Sequence, residues 1–227
     1  MLPEIAPGFF AGCLPRKTTL GCADIPLAAD HIEIIPRKDR EEIARGIAGG
    51  QGLRPFVRQI LNQGQVGSCA TEATAQAVMV AREFRGLPFT LLNPWFIYYH
   101  TSHGRDSGSS IDENLMLARE RGIAPESVHP RSLGWRAKPS QEAYAAALEF
   151  KIEEFYDVAN VDEAESCVLA GWPLVWGARG HAVCKLCYFD PQDANSWGTQ
   201  YDRNGFTTWE PFSRIDFRYG CFAVRVA

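Results

Sequence analysis

The sequence predicts an α+β fold of two lobes with a cleft between them, a helical lobe first and a β-rich lobe second. Helical spacing of apolar residues dominates the first half, whereas short apolar runs with strand character follow Leu174. Between these halves, Pro125 to Pro139 form a connection punctuated by proline and tryptophan. The chain has 227 residues, 46% of them hydrophobic and 22% charged, enough to bury a sizeable core. The expected division is an N-terminal arm over residues 1–50, a helical lobe over 51–138 and a β-rich lobe over 139–227.

In the arm, Pro3, Pro7, Pro15, Pro26 and Pro36 interrupt regular structure, leaving one short charged helix over Lys38 to Arg45 before a Gly-rich turn. Gln63 to Cys69 then form a Gly-punctuated loop that stops at a cysteine. Ala70, Ala73, Ala77, Val80, Ala81 and Phe84 recur at steps of three and four, marking a helix with one buried face. Ser68 is its expected N-cap, and Gly86 and Pro88 stop it. Asn93 and Pro94 open the next helix, as cap and first-turn residue. Ser110-Ile111-Asp112-Glu113 reads as a capping box, with Leu115 and Ala118 facing inward and Gly122 as the stop. A helix over Ser140 to Phe150, a strand over Lys151 to Tyr156 and a helix over Asn160 to Ala170 follow. Strands are expected over Leu174 to Trp176, His181 to Phe189, Gly205 to Trp209 and Cys221 to Val226.

Composition excludes several classes. The net charge is −4 with no basic block, so nucleic acid is not an expected partner. No apolar run approaches the roughly 18 residues of a membrane span, so no membrane partner is expected. Met1 to Lys17 place no basic residue ahead of the apolar Gly8 to Gly12, unlike a secretory leader, which points to the cytoplasm. The likeness of Phe10-Ala11-Gly12-Cys13 to a lipoprotein cleavage box reads as coincidence. Seven cysteines leave at least one free thiol. Cys184 and Cys187 would face opposite sides of a strand, so no metal site is expected, and no organic cofactor. The oligomeric state is left open.

Cys69 would sit at a helix N-terminus, where unpaired N–H groups and the helix dipole favour a thiolate. A lone cysteine there is more often a small buried hydrophobe. Its company changes the weighing: Gln63 lies six residues upstream, and Gly180-His181-Ala182-Val183 and Asn195-Ser196-Trp197-Gly198 lie far downstream. Taken in that order, with the local words Gly-Ser-Cys and Asn-Ser-Trp-Gly, the sequence resembles the papain family of cysteine peptidases, over roughly residues 53–210.

The resemblance implies a papain-like fold and cleavage of a peptide or protein substrate through a thioester, without metal or cofactor. It makes Cys69 the nucleophile, His181 the base and acid, Asn195 the orienter of the imidazole and Gln63 an oxyanion donor. It makes Trp197 a cover over the His–Asn bond, and assigns substrate contacts to Gly108, Ser109, Ser110, Gly180 and Trp197. Residues 1–50 stand where a propeptide would end, although they lack its long amphipathic helices; an arm packed on the body is the other reading. The compactness is similar to bacterial and bacteriophage members, which adds a virion-associated location to the cytoplasmic one. The alternatives are an amidase or peptidoglycan hydrolase on the same fold, or a non-catalytic binding or virion-assembly module.

The sequence also departs from the family. Val66 stands where a loop-anchoring cysteine is usual and Ala70 where an aromatic is, so the loop is expected to rest on the helix and on packing alone. Only five residues separate Val175 from His181, which would open or reshape the pocket for the second residue on the acyl side.

Overall fold

The structure, a computed structural model, describes residues 4–226. Three short strands lie in the arm: β1 (Glu4–Ala6), β2 (Phe9–Phe10) and β3 (Cys13–Leu14). Helix α1 (Arg37–Gly46) follows, and the helical lobe is built from α2 (Cys69–Phe84), α3 (Pro94–Thr101) and α4 (Ile111–Arg121), with strand β4 (Ser109–Ser110) before α4. Then come α5 (Gln141–Ala147), β5 (Glu154–Asp157), α6 (Val161–Leu169), β6 (Leu174–Ala178), β7 (His181–Lys185), β8 (Asp193–Ala194), β9 (Phe206–Thr207) and β10 (Cys221–Arg225).

Strand alternation creates two cores. The six-stranded sheet runs β5-β10-β6-β7-β8-β9, and its described pairings are antiparallel. On one face Val175, Ala182, Cys184, Phe222 and Val224 join the core of α2; on the other Leu174, Trp176, Val183 and Ala223 pack with Cys167 and Val168 of α6. Helix α2 is therefore buried nearly all round: every residue from Cys69 to Ala81 is buried. The expectation of one buried face is too narrow, because α2 has the sheet on one side and α3 and α4 on the other. Its alanines permit that close approach.

The Asn93 cap is as expected, and Ser140 and Asn160, read from the sequence only as helix starts, act as caps too. Asn93 accepts from Trp95 N (2.9 Å), Ser140 from Ala143 N (3.1 Å) and Asn160 from Glu163 N (3.0 Å). Ser68 and Ser110 make no cap hydrogen bond. The Ser68 hydroxyl instead donates to Glu72 Oε1 (3.1 Å) and accepts from Trp95 Nε1 (3.1 Å), while Asp112 is drawn to the arm. Ser68 is thus engaged by Glu72 one turn along α2 and by Trp95 of α3, and Asp112 within the expected capping box is engaged by the arm.

The arm is woven into the body. Ile25 and Ala28 are fully buried, one in each core, and Arg40 of α1 pairs with Asp162 (2.7 Å) and Glu165 (2.6 Å). All seven cysteines are free thiols. Among the described residues no helix is long and apolar enough to cross a membrane.

Inside the sheet, Lys185 and Asp193 form a fully buried ion pair at 3.0 Å. Lys185 Nζ also donates to Gln192 Oε1 and the Glu210 carbonyl, and Asp193 accepts from Trp209 N. Asp193→Ala strands a buried ammonium, so it is expected to cost about 3–5 kcal/mol, read as a lower denaturation midpoint. A loss below about 1 kcal/mol would show that the pair is dispensable.

Candidate active site

Cys69 opens α2, and His181 opens β7, which packs along that helix. Asn195 follows β8, the neighbour of β7 in the sheet. Cys69, His181, Asn195 and Gln63 are all buried. His181 Nε2 donates to Asn195 Oδ1 at 2.9 Å, and Ser196 N donates to the same oxygen at 2.7 Å, which orients the amide. This arrangement puts the imidazole proton on Nε2 and leaves a lone pair on Nδ1. Nδ1 is buried and has no hydrogen-bond partner among the described residues.

Aromatic rings enclose the imidazole. Trp197 stacks on His181 (centroids 4.6 Å apart, 29° between planes), and Trp209 meets it edge-on (5.0 Å, 75°). Trp209 is itself held, its backbone N–H by Asp193 and its indole N–H by the Ala178 carbonyl (2.9 Å). The motifs point to Trp197 but not to Trp209, whose only sequence signal is an aromatic at the end of a predicted strand.

Gln63 is clamped from the opposite lobe. Its N–H donates to the Ser196 carbonyl (2.8 Å), its Oε1 accepts from Ser196 Oγ (2.7 Å), and its Nε2 donates to the Val66 carbonyl (2.9 Å). With Oε1 occupied, the remaining Nε2 hydrogen is the group left for the cleft. The loop before Cys69 does not rest on helix and packing alone. Gly67 N donates to Asp106 Oδ1 (2.9 Å), Tyr98 OH donates to the same oxygen (2.6 Å), and Gly108 N donates to Tyr98 OH (3.2 Å). On the other side, buried Glu72 pairs with Arg131, whose guanidinium covers Trp95 (4.7 Å) and donates to the Asn62 carbonyl (3.1 Å). These polar links hold the loop in addition to the helix and its packing.

The arm fills the cleft. Gly12 N and Cys13 N donate to the Gly180 carbonyl (3.0 and 2.9 Å), and Ser109 N donates to the Gly12 carbonyl (2.9 Å). Strand β3 pairs in parallel with β4, and Phe9 stacks on Trp197 at 5.0 Å. The positions expected to contact substrate (Ser109, Ser110, Gly180 and Trp197, with Gly108 leading into them) are thus engaged by the chain's own N-terminus. Two buried carboxylates hold this segment in place. Arg16 forks onto Asp157 (2.9 and 2.6 Å), and Lys17 N and Thr18 N both donate to Asp112 Oδ2 at 2.8 Å.

Burial reverses the expected ionisation. Burial pushes the Cys69 thiol up to about 12, despite backbone hydrogen bonds from Ala182, Gly12 and Ala70 that pull it down. Burial also pushes His181 down to about 4, against the opposing effect of Asn195. A thiol ionises only above its pKa and an imidazole is protonated only below its own, so between those limits the covered pair is neutral thiol and neutral imidazole. The helix N-terminus does not offset the loss of water.

No protein-family model matches the chain, and no curated protein does. Solved structures match. Xylellain, a cysteine protease from Xylella fastidiosa, superposes with a TM-score of 0.68 over 96% of this chain and 97% of its own, at 22% identity. The chain has the papain-like fold. Stem bromelain precursor shares this papain-like architecture with a TM-score of 0.65, 12% identity and coverage of 95% of this chain and 78% of that one. The bromelain protease from Ananas comosus, in complex with the E64 inhibitor, gives 0.59 at 14% identity over 76% of this chain and 95% of that one.

Proposed function

We propose that the chain is a cysteine endopeptidase whose cleft is closed by its own arm. The observation that carries this reading is the unpartnered Nδ1 of His181, a buried ring held by Asn195 next to Ala182, whose backbone hydrogen-bonds Cys69. A buried polar atom left without a partner costs roughly 1–3 kcal/mol, and receiving a proton from the thiol gives it a role.

Once water re-enters the cleft, His181 Nδ1 takes the Cys69 proton and the sulfur attacks the substrate carbonyl carbon. The developing oxyanion accepts N–H from Gln63 and from the Cys69 backbone, each donor being worth about 3 kcal/mol. The imidazolium returns its proton to the leaving nitrogen as the C–N bond breaks, which leaves a thioester. Water then gives its proton to His181 and attacks the thioester; the C–S bond breaks and the thiol is reprotonated. Trp197 and Trp209 keep the ring plane fixed, and the stacked indole stabilises the imidazolium.

The arm makes the enzyme latent, because a substrate strand needs the Ser109 N–H and Gly180 carbonyl that Gly12 and Cys13 now use. The test is digestion of a peptide mixture by the chain with its arm displaced through Gly12→Val, with Cys69→Ser in the same background as control. New termini that depend on Cys69, with a transient acyl adduct on that residue by mass spectrometry, are expected. Equal cleavage by the control, or no cleavage of any peptide, would overturn the proposal.

A further inference from the structure

The arm is also a ligand whose fit reports the shape of the cleft. Cys13 is only 4% exposed and pairs with Ser109 of β4, and its side chain packs into the sheet beside it. The floor of the pocket it occupies is Gly177 of β6. A Cβ added there would lie 2.8 Å from Cys13 Sγ, 2.6 Å from Tyr219 Cβ and 3.3 Å from Ile111 Cδ1. Three side chains therefore crowd onto one bare Cα, and Cys13 fits because it carries a single heavy atom beyond Cβ.

The walls are held by backbone. Ile111 is fully buried in the first turn of α4. Tyr219 sits in a turn closed by Tyr219 N to the Asp216 carbonyl (3.1 Å) and Gly220 N to the Phe217 carbonyl (3.2 Å), and Gly177 N ties that turn to β6 through the Gly220 carbonyl (3.2 Å). The short connection before His181 does not leave this pocket open; Tyr219 enters from the C-terminal segment and closes it.

Resting on the peptidase reading above, we propose that the pocket vacated by Cys13 selects a small apolar side chain in the substrate (Ala or Cys) and that Tyr219 is the specificity-determining residue. The selected position adjoins the one at the catalytic sulfur, as Cys13 adjoins Gly12. Leu or Phe would need Tyr219 or Ile111 to move, and forcing extra methylenes into a packed site is resisted. Discrimination per methylene in an apolar pocket runs roughly 10- to 200-fold.

Two measurements on the full chain test this. The first is seating of the arm, read as the rate of Cys69 alkylation at pH 7 by peptide mapping. Cys13→Ala is expected to react as slowly as wild type. Cys13→Leu and Cys13→Phe are expected to react roughly 10- to 200-fold faster, and adding Tyr219→Ala to Cys13→Leu is expected to restore slow labelling. Slow labelling of Cys13→Leu with Tyr219 intact overturns the proposal. The second is the cleavage preference of the Gly12→Val chain on a peptide mixture, where small residues are expected two positions before the cut. Enrichment of Leu or Phe there overturns it. If no peptide is cut, the peptidase reading falls, and the seating measurement alone decides the pocket.

Discussion

Replacing His181 with alanine in the arm-displaced enzyme lowers peptide hydrolysis by roughly 10⁴- to 10⁶-fold, the loss seen when the base of a catalytic triad is removed. The unpartnered Nδ1 has no substitute at its position in the site, and without it the Cys69 thiol returns to ordinary titration. Alkylation should show this directly. With His181 present, the rate is high and nearly level across neutral pH; in His181→Ala it climbs about tenfold per pH unit toward the thiol pKa, the slope of a single ionisation. Asn195→Ala is expected to lose less, since Trp197 and Trp209 still fix the ring plane. A His181→Ala enzyme within tenfold of its parent would remove His181 from the mechanism.

Gly12→Val opens the cleft. A Cβ at Gly12 would land on the Gly67 carbonyl, 2.8 Å from Gly67 Cα, and backbone there cannot yield without moving the Cys69 loop. Overpacking of this kind costs about 1–3 kcal/mol, which displaces the seated arm by roughly 5- to 150-fold. Cys69 alkylation at pH 7 should rise by that order, and hydrolysis with it. In the covered state the thiol stays protonated up to about 12 and the imidazole neutral down to about 4. Rehydration narrows that gap from both sides and lets the proton pass. Unchanged alkylation in a Gly12→Val chain with native circular dichroism would show that the arm does not close the cleft.

What the sequence determined by itself is whatever rests on neighbours a few residues apart. The Asn93 cap, the Gly122 stop and the apolar runs that become β6, β7 and β10 are of this kind. The motif words also singled out Gln63, Cys69, His181 and Asn195 in chain order, and the fold brings His181 onto Asn195 and Gln63 onto Ser196.

Tertiary structure alone decided the rest, because those interactions join residues whose separation depends on the path of the whole chain. Ser68 and Ser110 have the local pattern of caps, but Trp95 and the arm change the hydrogen bonds made there. Trp209 reaches His181 only through sheet pairing, and Asp106 reaches Gly67 only across the packing of the helical lobe. The ionisation of Cys69 is the plainest case. A helix N-terminus predicts a thiolate, yet burial in the folded chain pushes the Cys69 thiol up, even though the backbone of Gly12, more than fifty positions upstream, hydrogen-bonds the sulfur and pulls the other way. Local dipoles can be read from the order of residues. Access to water is a property of the folded surface, so it took the fold to show that Cys69 is buried.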